Sequence, residues 1–324
     1  MTSGPISDEP FDLIVASPNA ALDSYYLLPE VRVGGVNRAE RSLHTAGGKG
    51  INLSRAVVGM GGRVMSMGIL GGHSGRFISD EMGREKIPGD MVWTQNETRR
   101  SATFVSTSER LVTVVLDSGY HIDLTAGDQL VEKIQTYASR APYLVLTGSL
   151  PPSLPTNYYA EIVRTVKHVK SLKVCLDSTG ETLRLAVENG AQLVKINADE
   201  YQETYAKKDE SLNPRSISCI YQELAKRGLE LLIITDGPRG AYIYPADSKT
   251  FRVVTQVDTW VSTIGAGDTF LAGLLLAFNR GLTIESAACY ASAAASAKLQ
   301  QIVCGSLTIE DLNHFLTLTH ITSI

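Results

Sequence analysis

Apolar residues fall into short runs along this chain. The runs alternate with stretches in which apolar positions recur every three or four residues. Phe11–Ser17 (FDLIVAS), Val64–Leu70, Tyr143–Thr147, Lys173–Asp177, Gln192–Ile196 and Leu231–Thr235 are rich in branched side chains and predict buried strands. Helical spacing predicts helices over Gly50–Gly61, Ser74–Ile87, Thr125–Ser139, Thr156–Val169, Gly180–Asn189 and around Pro214–Arg227. Strand, helix, strand in repetition is the signature of crossover units on a mostly parallel sheet. Two further strands, Ala241–Tyr244 and Phe251–Val254, and helices at 266–280, 283–299 and 308–317 complete the pattern.

Two regions interrupt the alternation. Residues 24–45 and 91–117 hold strand-like pieces, among them Met91–Gln95, Ala102–Thr107 and Val112–Asp117, with no helix between them. They predict a small second sheet covering one end of the main one. Open α/β sheets bind ligands outside the carboxyl ends of their strands, so a lid there bears on function. With no internal repeat and no low-complexity linker, the expectation is one α/β domain over 1–324, with a lid built from the two inserts.

Composition narrows the function. The chain has 324 residues, 44% hydrophobic and 20% charged, which is ample for a large core. A formal net charge of −4 and the lack of a dense Lys/Arg stripe argue against nucleic acid. The longest uncharged apolar run, 269–278, is too short to span a bilayer. MTSGPISDEP is polar and acidic, unlike a secretory signal. Cys175, Cys219, Cys289 and Cys304 are scattered without metal-ligand spacing and read as reduced thiols of a cytoplasmic protein.

Two glycine-rich stretches carry candidate chemistry. In Gly265-Ala266-Gly267-Asp268, small residues lead into an apolar helix with one carboxylate in its first turn. A helix N-terminus offers unpaired N–H groups and partial positive charge, so small residues there let a phosphate approach. The plain alternative is a turn with an acidic helix start. Thr45-Ala46-Gly47-Gly48-Lys49-Gly50-Ile51-Asn52 again places glycines before a helix, with Asn52 within reach of a sugar hydroxyl; a capped turn explains it equally well. No GxxxxGK[ST] phosphate loop occurs.

Together these stretches resemble the paired signatures of the ribokinase-like (PfkB) carbohydrate kinase family, GGKGxN and GAGDxF. Other elements follow in family order. Ser17-Pro18-Asn19-Ala20-Ala21-Leu22-Asp23 is similar to the TPNPALD opening of the phosphofructokinase and tagatose-6-phosphate kinase branch. Asn37-Arg38, Glu97-Thr98-Arg99, Thr147-Gly148-Ser149-Leu150-Pro151-Pro152 and Lys195-Ile196-Asn197-Ala198-Asp199-Glu200 resemble its NR, ETR, SGSLPP and KPNxxE elements.

The resemblance implies a three-layer ribokinase-like fold with a small β-sheet lid, and ATP-dependent phosphorylation of a ketohexose phosphate. It makes Asp268 the general base and the N–H groups of Gly265, Ala266 and Gly267 an anion hole. Asp23, Gly47, Gly48, Asn52 and Ser149 would line the sugar site, while Arg38 and Arg99 would hold the phosphate already on the substrate, as guanidinium forks suit phosphate. Lys195 would approach the ATP phosphates, and the Thr235-Asp236-Gly237-Pro238-Arg239-Gly240 turn would lie beside the nucleotide through Thr235, Gly237 and Gly240. Asn197 and Glu200 would organise Mg²⁺ through water. The small residues of Ala287–Ala297 would pack near adenine or against another helix. Lids of this family often pair two subunits, so a homodimer through the lid is expected.

The sequence departs from the branch pattern at several points. Ser17 and Ala20 stand for Thr and Pro, Ile196 for Pro, and Arg100-Ser101 for the usual Ile-Asn after ETR. Ser262 stands where many family members carry Asp or Asn; the phosphofructokinase branch often has Ser there, which supports that branch. Two alternatives stay open: a ribokinase-like kinase of an unphosphorylated sugar or nucleoside, and a sugar-phosphate sensor without turnover. Asp268 argues against the sensor, because a binding site has no use for a base beside an anion hole.

Overall fold

The short strands divide their side chains between two cores. A computed structural model describes residues 9–109, 111–205 and 213–324; the polar stretch 1–8 discussed above lies outside them. In chain order the first elements are β1 (Leu13–Ser17), β2 (Ala21–Leu28), β3 (Arg41–Gly47), α1 (Lys49–Gly59), β4 (Val64–Gly71), α2 (Gly72–Arg84), β5 (Val92–Thr94), β6 (Arg100–Ser106) and β7 (Leu111–Leu116). Then come α3 (Leu124–Tyr137), β8 (Tyr143–Thr147), α4 (Tyr158–Val166), β9 (Lys173–Asp177), α5 (Gly180–Glu188), β10 (Leu193–Asn197), α6 (Ala198–Tyr205), α7 (Pro214–Ala225) and β11 (Leu231–Thr235). The chain continues through β12 (Ala241–Pro245), β13 (Phe251–Thr255), α8 (Ala266–Asn279), α9 (Ile284–Leu299), α10 (Ile309–Thr317) and β14 (Thr319–Ser323).

The main sheet has ten strands in the order β14-β13-β12-β11-β10-β9-β8-β1-β4-β5. From β11 to β5 the strands are parallel, and β12, β13 and β14 close one edge antiparallel. The period of two along each strand sorts its residues. Ile14, Ala16, Val194, Ile196, Leu232 and Ile234 join α3, α4, α5 and α7 in one core. Leu13, Val15, Leu193, Leu231 and Ile233 join α1, α8, α9 and α10 in the other. The result is the expected three-layer ribokinase-like architecture, with a separate four-stranded sheet, β3-β2-β6-β7.

The structure corrects the lid boundaries. Met91–Gln95 was expected in the lid, but Val92–Thr94 pairs parallel with β4 at the edge of the main sheet. The reason is packing: α2 acts as its crossover, and Val92 is buried with Met65, Met67 and Ile69. The lid strands therefore begin at Ala21 and Arg100 rather than at 24 and 91. Two elements were not anticipated. β14 is a half-exposed edge strand whose THITS sequence has no apolar alternation to read. Helix α6 follows directly from the Asn197–Glu200 segment.

α8 is apolar all round because it is enclosed, with every residue from Asp268 to Ala277 buried. The small residues of α9 serve this packing. A Cβ on Gly273 would lie 3.2 Å from Ala291 Cα and 3.2 Å from the Ala294 methyl, so the two helices meet almost backbone to backbone. Among the described residues no helix is long and apolar enough to cross a membrane, and all four cysteines are free thiols.

Candidate active site

Strand register brings the candidate residues to one edge. Thr147 stands beside Asp177 at the carboxyl ends of β8 and β9, and Asn197 beside Thr235 at those of β10 and β11. Above this edge α1 and α8 begin, and their first turns meet. Asn52 Nδ2 donates to Asp268 Oδ2 at 3.1 Å. Asn52 Oδ1 accepts from Arg55 Nη1 at 3.3 Å. The asparagine expected on a sugar hydroxyl therefore also orients the Asp268 carboxylate.

The loop before Asp268 has little choice of residue. Gly265 caps α8 in the left-handed region at φ 79°, and a Cβ there would lie 2.8 Å from Cys304 Cβ. A Cβ on Gly267 would lie 2.7 Å from Lys195 Nζ. First-turn N–H groups have no intrahelical acceptor; that of Ala266 donates to Thr263 O at 3.3 Å.

Lys195 reaches this loop because strand alternation turns it away from Val194 and Ile196, toward the α8 side. Its Nζ lies 3.1 Å from Asp177 Oδ2, and Lys49 Nζ lies 2.9 Å from Asp177 Oδ1 and 3.0 Å from Glu200 Oε1. Asp177 has no exposed surface. Burial alone would raise it, but Lys195 and Lys49 together hold it below the usual carboxylate range. Burial would strip Lys49 of its proton; the carboxylates of Asp177, Glu200 and Asp268 outweigh this and hold it cationic. Asp268 is pushed up to about 6, by burial first and Asp177 second, against Lys49, Lys195 and the Asn52 hydrogen bond. The centre is therefore a lattice of two buried carboxylates and two lysines. Sequence reasoning singled out Lys195 and Asp268 but not Asp177 or Lys49. The available signals were an apolar strand ending on a carboxylate and the lysine inside GGKG.

A second cluster sits on the lid side. Asp23 of β2 accepts from the Ser101 hydroxyl across the lid sheet. A Cβ on Gly47 would overlap the Asp23 carboxyl group, so only glycine fits opposite it. Burial raises Asp23, offset by Ser101, Arg55, Arg99 and the Gly48 backbone. Gly48 caps α1 at φ 90°. Ser149, exposed at the end of β8, accepts from Asn19 Nδ2 at 3.0 Å. Arg99 spends Nε and Nη2 on Asn19 O at 3.2 and 3.0 Å, and Nη1 on Asp117 O at 3.0 Å. Arg38 stands apart, exposed between β2 and β3. The departure Arg100-Ser101 acquires two roles: Ser101 holds Asp23, and Arg100 Nε donates to Ser74 Oγ at 3.0 Å.

Arg55, which the motifs did not mark, joins the two clusters. It is buried and reaches Ala46 O at 2.6 Å, Cys304 O at 2.7 Å and Glu85 Oε2 at 2.7 Å. At the other end, Asn197 and Glu200 form a reciprocal cap on α6: Glu200 N–H donates to Asn197 Oδ1 at 2.8 Å, and Asn197 N–H to Glu200 Oε2 at 2.9 Å. Among the described residues no three His, Cys, Asp or Glu side chains are grouped to hold a metal directly. Gly237 opens a short 3₁₀ turn after Thr235, closed by Asp236 N–H on Gly240 O at 2.7 Å.

Comparison with known proteins agrees with this fold. The family model for pfkB family carbohydrate kinases matches residues 19–311. The chain is 28% identical over 279 residues to the 1-phosphofructokinase of Borreliella burgdorferi, covering 86% of this chain and 89% of that protein. The crystal structure of phosphofructokinase-2 from Escherichia coli in complex with potassium superposes with a TM-score of 0.86 at 23% identity, covering 95% of this chain and 98% of that one. Arabidopsis thaliana ribokinase complexed with ribose and ATP superposes with a TM-score of 0.73 at 19% identity, covering 95% of this chain and 99% of that one. The last two likenesses establish the fold. With a family match over most of its length, the chain belongs to the pfkB family of carbohydrate kinases and is an ATP-dependent sugar kinase.

Proposed function

We propose that this kinase transfers the γ-phosphoryl group of ATP to a hydroxyl of a ketohexose phosphate. Fructose 1-phosphate stands first, because the Borreliella burgdorferi relative is a 1-phosphofructokinase; tagatose 6-phosphate and fructose 6-phosphate follow. The observation that carries the proposal is the buried Asp268 carboxylate at the start of α8, held by Asn52. Raised to about 6, it is a stronger base than a surface Asp yet is ionised at neutral pH. It would take the proton of the attacking hydroxyl. The N–H groups of Gly265, Ala266 and Gly267 would stabilise charge gathering on the γ-phosphoryl oxygens.

ATP fits the same helix end. The missing side chain of Gly267 lets Lys195 Nζ come up against the loop, 2.7 Å from where a Cβ would stand, so the lysine would meet phosphate bound at this helix end. Thr235, Gly237 and Gly240 would border the nucleotide. Asn197 and Glu200 would hold Mg²⁺ through water, since Lys49 already engages Glu200. Bound Mg²⁺ would supply charge neutralisation on the transferring phosphate. Asp23 would accept from two sugar hydroxyls, with Gly47, Gly48 and Ser149 around the sugar. Arg38 and Arg99 would face the substrate's own phosphate.

One observation favours a second reading, a kinase of an unphosphorylated sugar. Arg99 directs three donor groups at backbone carbonyls, and Arg38 is exposed. For assembly, the exposed Leu111, Val114, Val115 and Leu116 of β7 support a homodimer through the lid. The free thiols fit a cytoplasmic enzyme. The direct test of the base is Asp268→Asn. It should bind sugar phosphate and ATP as before while kcat falls at least ~100-fold; near-normal turnover removes Asp268 from the role.

A further inference from the structure

Behind the Gly265–Asp268 loop lies a charge that phosphoryl transfer, as described, does not use. Lys298, in the last turn of α9, has no exposed surface. Burying an ammonium costs several kcal/mol unless its environment compensates. Here the compensation comes from the main chain. Nζ donates to the carbonyl of Ser262 at 3.0 Å and to that of Gln301 at 3.0 Å. Neither partner is a carboxylate. A cation near a helix C-terminus is ordinary, but such a lysine needs only its own helix and usually reaches into water. This one is enclosed and bonded across to a second segment.

The partners define what the ammonium joins. Ser262 is buried and opens the run into the anion-hole loop. Its N–H and that of Val261 donate to Leu299 O at 3.2 and 2.8 Å, so this run is fastened to the end of α9. Ile264 N–H donates to Ser262 Oγ at 3.4 Å. Gln301 begins the segment that carries Cys304 and Gly305. Cys304 is the residue packed against the Gly265 Cβ position, and Gly305 lies against the Asn52 backbone. One cation thus ties together the two segments that fix Gly265 and Asn52, the neighbours of Asp268. Burial pulls Lys298 down to about 8, opposed by Cys304 and Asp268, so it senses the catalytic carboxyl group.

We infer that Lys298 is a tethered internal cation that positions the Gly265–Asp268 loop. Backbone carbonyls around a dehydrated cation are also how proteins hold alkali ions. Lys298 performs that task from within the chain, and turnover needs no added alkali cation. It is a positioning residue, since it touches neither substrate nor reacting atoms. The inference rests on the kinase reading of the loop, and the test separates the two.

The experiment measures ADP release by the full-length wild type with sugar phosphate and Mg-ATP, both as tetramethylammonium salts. It is repeated with KCl, NaCl or NH₄Cl replacing tetramethylammonium chloride at equal ionic strength. The expected kcat is the same in every salt. The Lys298→Met variant should lose at least ~10-fold in kcat without alkali cation. KM for the sugar phosphate should change little, and K⁺ or NH₄⁺ should restore part of the loss. Rescue by a free cation is a readout that a merely structural role would not give. A wild type that requires K⁺, or a folded Lys298→Met with unchanged kcat in tetramethylammonium, overturns the inference. If Lys298→Met does not fold, the wild-type salt series still decides. Absence of turnover in any salt with any sugar overturns the kinase reading itself.

Discussion

A carboxyl group buried beside a second carboxylate keeps its proton to higher pH than one in water, and at Asp268 this has two opposite consequences. If Asp268 is the base proposed above it must be ionised, so kcat should rise with pH along an acid limb near its value of about 6. A flat profile from about pH 5 to 8 would show that another group takes the proton. For stability the sign reverses. The folded-state value is raised, so the contribution of the protonated group is complete below the unfolded value near 3.8 and is lost as pH rises through about 6. Asp268→Asn cannot ionise and should be more stable than wild type by roughly 1–3 kcal/mol at pH 8, the gap closing toward pH 4. Thermal melts at both pH values check this. Arg99 is a residue with two possible duties. Arg99→Ala should raise KM for the sugar phosphate far more than for its unphosphorylated analogue; equal effects would leave only its hold on the Asn19 and Asp117 carbonyls. Asp268, Asp23 and Gly265 could be singled out in the sequence because each lies in a short motif, and the structure places each beside the starts of α1 and α8 or on the adjoining small sheet. Lys49, Asp177 and Arg55 were not, because their meaning depends on register. Lys49 and Asp177 are 128 positions apart and meet only once the order of the strands brings the carboxyl end of β9 near the start of α1.

At the scale of elements, the N-terminus of α8 is the critical joint. Gly265→Ala would have to hold φ near 79° and displace Cys304. It should cost about 1–3 kcal/mol in stability, with a fall in kcat as the loop shifts. Denaturant melts and initial rates measure the two effects separately, and an unperturbed variant would show that the loop tolerates a side chain. Elements with a strong period were readable: β1, β4, β8, β9, β10 and β11 are apolar runs buried on both faces, as parallel sheets require. β5 was readable as a strand but not as a main-sheet strand, because three residues do not announce their partner. β14 was hidden by its polar, half-exposed composition. The small residues of α9 permitted two readings, nucleotide contact or helix packing. The 3.2 Å approach at Gly273 shows that they pack against α8.

At the scale of the whole molecule, the main sheet presents its carboxyl edge to the starts of α1 and α8, and the small sheet lies against the same region through Asp23 and Gly47, with Arg55 of α1 bonded to its Ala46 carbonyl. The exposed side of β7 continues this lid outward. Val115→Asp with Leu116→Asp should convert a dimer to a monomer by light scattering; a monomeric wild type would remove the lid interface. Alternation of strands and helices made the three layers legible, whereas the proposed pairing of two lids rests on the exposed face of β7. Substrate class is decided by kcat/KM across sugars and sugar phosphates with Mg-ATP in a coupled ADP-release assay. A ketohexose phosphate, fructose 1-phosphate foremost, should exceed every unphosphorylated sugar and nucleoside by at least ~10²-fold. Equal or greater kcat/KM for an unphosphorylated sugar would contradict it.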